Sequence, residues 1–347
     1  MNVLLLHLDG KLPNLALMRI AAHHRALGDQ VELRRADEVA GLQPRLGDPA
    51  WDRVFGSLIF EWSRPLAIEA QRIYPGIELG GTGWDFEGGT QVRRTELAAA
   101  VAALPPDYSV YPWFENSIGF AQRGCRFQCS FCVVLRKEGK IVSVSGLEAI
   151  WRGGKHPKRV ILLDNDFFGN PNWREVIADA RRLDIAIAVI QGVNARLLSD
   201  EQAAAIASVR WMAEDFSRRR VYTAWDLEDD ERVFFRGLDR LKAHGISPDS
   251  MLVCMLIGHA PGETHADRDR RRAELRKYGA RPFPMPYVRA GELGDELRVR
   301  SRAGASSART SSCSGSSGGA GPAATYGSSA RDGSLCRCSA CTASPGT

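Results

Sequence analysis

Two patterns of hydrophobic and polar residues alternate along most of the chain. Short runs that are almost wholly apolar indicate buried β-strands, and longer stretches with apolar residues three or four apart indicate helices. In the first third, the pattern predicts strands at residues 2–8, 31–33, 54–60 and 77–79, and helices at 13–27, 65–73 and 95–104. Strands that alternate with helices predict an α/β fold, here a small doubly wound sheet.

The alternation continues after a linker at residues 106–116 that is rich in proline and aromatic residues. Strands are predicted at residues 117–121, 159–163, 186–190, 209–212, 220–226, 251–257 and 282–288, and helices at 145–151, 173–183, 200–208, 231–244 and 267–278. This second α/β unit is expected to place its functional residues at the carboxyl ends of its strands, as α/β barrels do.

Composition and charge narrow the classes of protein that fit. A chain of 347 residues that is 44% hydrophobic can bury a large core, and its length suggests about two domains. The net charge of +5 is small and no basic run is interleaved with aromatic residues, so a nucleic-acid partner is unsupported. No apolar run is long enough for a signal peptide or a membrane span. We therefore expect no membrane partner and a cytoplasmic, reducing location.

The composition changes abruptly after Arg289. Residues 290–347 are mostly Ser, Gly, Ala and Arg and contain too few large apolar residues to form a core. The favoured interpretation is a shift of reading frame near Arg289, and the alternative is a natural disordered tail. A third interpretation is a second metal site, formed by the late cysteines Cys313, Cys336, Cys338 and Cys341.

Three cysteines share one short loop after the first strand of the second unit. Cys125, Cys129 and Cys132 are close enough in sequence to bind one metal centre. A structural zinc site takes four protein ligands, and the next cysteine or histidine along the chain is His156. Three thiolates on a [4Fe–4S] cluster leave one iron open to another ligand. The spacing therefore favours a cluster over zinc.

The surrounding residues resemble the signature of the radical S-adenosylmethionine (SAM) enzymes. The resemblance covers residues 118–134, with Arg123 and Gly124 before the first cysteine and Phe131 before the third. It implies a [4Fe–4S] cluster on the three cysteines, SAM bound at the open iron and Phe131 packed near its adenine. It also implies a partial (β/α)6 barrel and a one-electron donor such as flavodoxin or ferredoxin.

The first unit resembles the cobalamin-binding-like domain that precedes many radical SAM barrels. The resemblance rests on residues 13–18 and on the glycine-rich turn at residues 80–83. The loop that carries the cobalamin-ligating histidine in that family would have Lys11 at the histidine position. The missing histidine disfavours cobalamin, although some members of that family bind it without this residue. A degenerate domain that serves as a scaffold or docks a partner is preferred.

Polar residues at three predicted strand ends match positions where the family holds SAM. Asp164 and Asp166 follow the second strand, where the family carries a Gly-Gly-Glu motif for the amine of SAM; the sequence departs from that motif. The alternative is a turn or a helix cap. Arg196 follows the third strand and could bind the carboxylate of SAM, unless it is a surface arginine. Asp226 stands where a contact to the ribose is expected.

Gly258 and Glu263 resemble the stretch of the family that lies beside the adenine, although Cys254 replaces its first glycine. Gly258 would allow the backbone to approach closely, and Glu263 could instead cap the following helix.

The sequence thus predicts three segments: a cobalamin-binding-like domain at 1–105, a radical SAM partial barrel at 106–289 and a low-complexity tail at 290–347. The expected function is that of a radical SAM enzyme: the cluster cleaves SAM reductively to a 5′-deoxyadenosyl radical, which abstracts hydrogen from an unknown substrate. The alternative is a non-catalytic iron–sulfur or zinc-binding protein that uses the barrel as a binding module. No second cysteine motif precedes the barrel, which argues against a methylthiotransferase.

Overall fold

The computed structural model describes residues 1–88 and 90–287. Within them the strands are β1 (Asn2–His7), β2 (Gln30–Arg35), β3 (Arg53–Ser57), β4 (Glu78–Gly80), β5 (Phe86–Glu87), β6 (Thr90–Gln91), β7 (Ser117–Gly119), β8 (Gln122–Arg123), β9 (Val142–Ser143), β10 (Arg159–Leu162), β11 (Ala186–Val189), β12 (Val221–Ala224), β13 (Met251–Ile257) and β14 (Arg281–Pro286). The helices are α1 (Leu15–Ala26), α2 (Val39–Leu42), α3 (Arg64–Ile73), α4 (Thr82–Asp85), α5 (Ala99–Ala102), α6 (Val134–Glu138), α7 (Leu147–Ile150), α8 (Trp173–Arg182), α9 (Asp200–Ala207), α10 (Glu231–Ala243) and α11 (His265–Tyr278).

The first sheet has four parallel strands in the order β2-β1-β3-β4. Alternate residues of β1 pack on opposite faces, as the period of a strand requires. Val3 and Leu5 share a cluster with Leu17 of α1, whereas Leu4 and Leu6 share one with Ala67 of α3. Helices therefore cover both faces, and the predicted doubly wound sheet is confirmed. The strand order reverses between β1 and β3, because β2 lies on one side of β1 and β3 lies on the other.

Two helices of this first unit differ from their predicted lengths. Helix α1 begins at Leu15, because Asn14 caps it by accepting hydrogen bonds from the backbone N–H groups of Ala16 and Leu17. Pro13 lies outside the helix and is not its first residue. The alanine-rich stretch forms only the single turn α5, although a helix over residues 95–104 was predicted.

The second unit contains two parallel three-stranded sheets, in the orders β11-β10-β7 and β12-β13-β14. Isolated bridges at Trp211 and Met212 lie between β11 and β12, at the position of the strand predicted over 209–212. The outer residues of these strands pack against α8, α9, α10 and α11 in one large core. The inner face of the first of these sheets contacts helix α1, since Met18 clusters with Ile161 and Ala188.

Strand β14 pairs with β13 along its whole length and carries proline at every second position. These residues are Pro282, Pro284 and Pro286. Proline has no N–H group, so these positions cannot donate to a strand ladder.

Among the described residues, no helix combines the length and the hydrophobicity that crossing a membrane requires. The mixed α/β fold with parallel sheets agrees with the predicted class. The predictions for residues 290–347, including the late cysteines and the disordered or frame-shifted tail, lie outside the described residues, as do Val288 and Arg289.

Candidate functional site

The three cysteines lie in the turn that joins β8 to α6. Cys125 is buried, and Cys129 and Cys132 are partly exposed. The backbone N–H of Cys132 donates to the carbonyl of Cys129 over 3.0 Å. Two sulfur atoms accept backbone hydrogen bonds: Cys125 Sγ from Phe127 at 3.4 Å and Cys132 Sγ from Val134 at 3.5 Å. Such bonds favour the thiolate form of a cysteine, which is the form that binds metal.

The surroundings of the loop act on the acidity of all three thiols. Burial raises the pKa of Cys125 to about 11 and that of Cys132 to about 12, and the neighbouring thiol of Cys129 adds to both shifts. Burial also raises the pKa of Cys129, opposed by the charge of Arg196. The thiols thus share one electrostatic environment that favours their neutral forms, and a metal cation among them would favour the thiolates.

As donors, three thiols in one loop fit an iron–sulfur cluster, since thiolates are the usual ligands of its irons. In the part of the chain that the structure describes, no group of three His, Cys, Asp or Glu side chains is already arranged to hold a metal ion. A [4Fe–4S] cluster does not need such a group, because each thiolate binds a different iron.

Two side chains that the sequence analysis did not single out hold the start of the loop. Gln122 is fully buried; its amide group donates to the carbonyls of Arg123 and Gly124, and its amide oxygen accepts from the N–H of Asp166. Glu138 accepts from Arg123, from the N–H of Gly124 and from the side chain of Asn165. Burial acts to raise the pKa of Glu138, but its bond to Arg123 prevails and lowers it.

Gly124 is required by its conformation and by its neighbours. Its φ is +78°, in the region that favours glycine. A Cβ atom added there would lie 2.2 Å from the carbonyl oxygen of Lys140. The backbone just before Cys125 can therefore approach the β9 side of the hairpin only with glycine at this position.

Asp164 is fully buried at the end of β10 and faces the backbone of the loop. Its Oδ1 accepts from the N–H of Ala121 over 2.8 Å, whereas Oδ2 has no hydrogen-bond partner in the described structure. Burial raises the pKa of Asp164 to about 7, although backbone N–H groups favour its ionised form. This contact holds the backbone that follows strand β7 against the end of strand β10.

Asp166 forms an ion pair with an arginine inside the cysteine loop. Arg126 Nε lies 2.8 Å from Asp166 Oδ2, and Asp166 is buried while Arg126 is partly exposed. Burial raises the pKa of Asp166, and the pairing with Arg126 opposes that shift. The pair connects the loop to the end of β10 next to Cys125.

Arg196 and Asp226 lie on the other side of the loop, next to Cys129. The guanidinium of Arg196 is 2.7 Å from Asp230 Oδ2 and 5.8 Å from the centre of the Phe127 ring, and its charge acts on the thiol of Cys129. Burial raises the pKa of Asp226 to about 6, and the charge of Arg196 opposes the shift. Arg196 is therefore held at the loop rather than free on the surface.

Phe131 and Gly258 lie at a third side of the loop. Phe131 packs with Leu256 and Tyr287, which end β13 and follow β14. Gly258 has a φ of +82°, and the nearest atoms to an added Cβ are 3.8 Å away, so its conformation and not a close approach requires glycine.

Glu263 accepts a hydrogen bond from the N–H of Gly258 and pairs with Arg268 and with the buried Arg271. Thr264, not Glu263, caps helix α11. The prediction that Glu263 caps that helix is wrong.

The structure thus brings the nine predicted site residues to one edge, where the parallel strands of the second unit end. Asp164 and Asp166 follow β10, Arg196 follows β11, Asp226 follows β12 and Gly258 follows β13. The cysteines and Phe131 lie in the loop that these strand ends surround.

A separate cleft of about 740 Å³ lies between the two units. Its walls include Asp9 after β1, Phe60 after β3 and Thr82 after β4 on one side, and Asn165 and Gln191 from the second unit on the other. Lys11, which replaces the cobalamin-ligating histidine, also lines it.

Comparison with protein-family models gives no match for this sequence, and the search of curated proteins returns no similar one.

Proposed function

We propose that this protein is a radical SAM enzyme whose cluster is held by Cys125, Cys129 and Cys132. The observation that carries the proposal is the position of the cysteine loop among the carboxyl ends of parallel strands, with Arg196 and Asp226 beside Cys129. In α/β folds this edge is where substrates and cofactors bind.

The three thiols would hold the cluster, and the remaining residues would position SAM. When bound, the cluster would supply one electron to SAM, giving methionine and a 5′-deoxyadenosyl radical that takes hydrogen from the substrate. We infer that the cluster loads with release of protons, since burial raises the pKa of all three thiols.

Each neighbouring side chain suits one part of SAM. Arg196 would bind the carboxylate with donors that Asp230 does not use, since a guanidinium has five N–H groups. Asp226 would accept from the ribose, and Phe131 would pack on the adenine near Gly258. Asp164 and Asp166 are both candidates for the amine: Asp164 Oδ2 has no hydrogen-bond partner in the described structure, and Asp166 is paired with Arg126.

At the scale of the fold, we propose that the two three-stranded sheets are the two halves of a partial (β/α)6 barrel of the radical SAM type. A reduced donor such as flavodoxin or ferredoxin would supply the electron, which places the enzyme in the reducing cytoplasm. The substrate and the outcome of the reaction are not assigned.

The test is anaerobic reconstitution of the full chain with iron and sulfide, followed by measurement of bound iron and of 5′-deoxyadenosine formed with SAM and dithionite. Wild-type protein should bind about four irons, show iron–sulfur absorbance and release 5′-deoxyadenosine only with the reductant. Cys129→Ala should lose the cluster and reduce 5′-deoxyadenosine formation at least about a hundredfold, because two thiolates cannot replace three ligands.

Two variants serve as controls. Cys254→Ala removes a buried cysteine of β13 outside the loop and should retain both readouts. Replacing Cys313, Cys336, Cys338 and Cys341 with serine shows whether iron is bound elsewhere in the chain. Zinc binding without SAM cleavage would instead favour the non-catalytic alternative, and full activity in Cys129→Ala would refute the proposal.

A further inference from the structure

The cleft between the two units lies where open parallel sheets bind ligands. In such sheets, ligands occupy the crevice outside the carboxyl ends of the strands, at the point where the strand order reverses. Here that point lies between β1 and β3, and the residues that follow these two strands, Asp9 and Ile59, both line the cleft. Its volume of about 740 Å³ is that of a small-molecule site. None of the three loop cysteines is among the described residues that line the cleft.

The charges on the wall of the cleft favour an anion. Arg19 is half-buried, and its Nε atom has no hydrogen-bond partner in the described structure. The ammonium group of Lys137 donates to the hydroxyl of Thr82, and neither cation forms an ion pair with a carboxylate of the described residues. Arg123 adds a third positive charge that acts on both.

Four carboxylates line the cleft, those of Asp9, Asp37, Glu138 and Glu214, and two of them are already engaged by other groups. Asp9 accepts from the backbone N–H groups of Ile59 and Phe60 at 2.7 and 2.8 Å, and Glu138 is paired with Arg123. Keeping Arg19 of α1 and Lys137 of α6 partly buried beside one cleft costs free energy, which a bound anion would offset.

A flat aromatic surface lies in the same cleft. The rings of Phe60 and Trp62 are stacked 4.3 Å apart with an angle of 7° between their planes, and both residues line the cleft. Stacking fixes the orientation of Trp62. A planar heterocycle placed on this pair would gain both apolar burial and stacking.

We propose that this cleft binds a phosphate ester of nucleotide size, with its phosphate at Arg19 and Lys137 and its planar ring on Phe60 and Trp62. The site contains none of the nine residues proposed for the cluster and SAM, although Arg123 and Glu138, which line it, also hold the start of the cysteine loop.

The test is isothermal titration calorimetry of the full, iron-free chain. The probes are inorganic pyrophosphate, the four common nucleoside monophosphates, their nucleosides, citrate and hydroxocobalamin. At least one monophosphate should bind with a dissociation constant below about 1 mM and more than tenfold more tightly than its nucleoside. Arg19→Gln should weaken that binding about tenfold or more, since a charge-assisted contact is lost. Arg136→Gln, an exposed neighbour of Lys137, should leave it unchanged.

Two further variants keep the test decisive if Arg19→Gln folds poorly. Lys137→Met should weaken both pyrophosphate and the monophosphate, whereas Trp62→Leu should weaken only the monophosphate. Failure of every phosphate probe to bind, equal binding by Arg19→Gln and wild type, or citrate binding as tightly as pyrophosphate would overturn the proposal. Hydroxocobalamin that binds and displaces the monophosphate would also overturn it. Each of these readouts is independent of SAM cleavage.

Discussion

Asp164 is a carboxylic acid that the fold keeps away from water. Its Oδ1 accepts from the backbone of Ala121, its Oδ2 has no hydrogen-bond partner in the described structure, and burial raises its pKa to about 7. A carboxyl group in this position serves the fold as an acceptor and does not need its charge. Its neighbour Asp166 differs, because Arg126 provides a positive charge at 2.8 Å.

Asp164→Asn should become more stable relative to wild type as the pH rises from about 4 to about 7. An acid whose pKa is raised on folding from 3.8 to about 7 binds its proton more tightly in the folded state, so wild type loses stability over that interval and the asparagine variant does not. The gain is at most about 4 kcal/mol. Urea unfolding at several pH values measures it.

Asp164→Ala is the matched comparison. It removes the acceptor for Ala121 and should cost about 1–3 kcal/mol in the free energy of unfolding. A stability difference between Asp164→Asn and wild type that does not change with pH would contradict this account of Asp164.

The contrast between the cysteines and their supporting residues shows what a sequence can reveal. Cys125, Cys129 and Cys132 could be recognised because metal-ligand spacing is local along the chain. Gln122 and Glu138 could not be recognised in this way. Their supporting role depends on contacts with Asp166 and Asn165, which lie 44 and 27 residues away along the chain. The cleft was also missed, because its walls come from strand ends that are far apart in the sequence.

At the scale of elements, long segments with strong periods were predicted well and short ones poorly. Strand β13 has its predicted bounds, because seven consecutive residues lie in its ladder. The helix predicted over 95–104 is only α5, since high alanine content supplies helix propensity while only Leu97 and Val101 of this stretch pack against the core. Helix α1 begins after Pro13, because Asn14 caps the helix.

The cysteine hairpin gives a prediction at this scale. Gly124→Ala should destabilise the protein by more than about 2 kcal/mol and reduce iron loading, because the new Cβ meets the Lys140 carbonyl at 2.2 Å in addition to the strain of a positive φ. Urea unfolding and iron content after reconstitution measure the two effects.

Gly153→Ala separates strain from collision. Gly153 also has a positive φ, of +70°, but an added Cβ would have nothing within 4 Å. That variant should cost about 1 kcal/mol and leave iron loading intact. Equal losses in the two variants would mean that the approach to Lys140 has no special role.

In the molecule as a whole, the two units share buried contacts. Met18 of the first unit clusters with Ile161 of the second. The hydroxyl of Tyr111 accepts from the N–H of Asn14 at 3.2 Å and lies 3.0 Å from His7 Nδ1. Burial lowers the pKa of His7 to about 4, so its ring is neutral at pH 7 and Nδ1 can accept from the tyrosine.

Tyr111→Phe should therefore lower the free energy of unfolding by about 1–3 kcal/mol, since it leaves two buried polar groups without this partner. Urea unfolding followed by far-UV circular dichroism and by tryptophan fluorescence should show the same loss. Tyr278→Phe, which removes an exposed bond to Asp239, should change stability by less than about 0.5 kcal/mol. Two separated transitions, with only one of them shifted in Tyr111→Phe, would show that the units unfold independently.

The prolines of β14 determine how this protein can meet other strands. Because β14 pairs with β13 along one side, Pro282, Pro284 and Pro286 occupy the positions whose backbone faces away from that ladder. An incoming strand would find carbonyl acceptors there but no donors at these three positions, so it would lose half of the hydrogen bonds of a ladder. This edge is thereby protected against addition of a strand from another chain, a common route to aggregation.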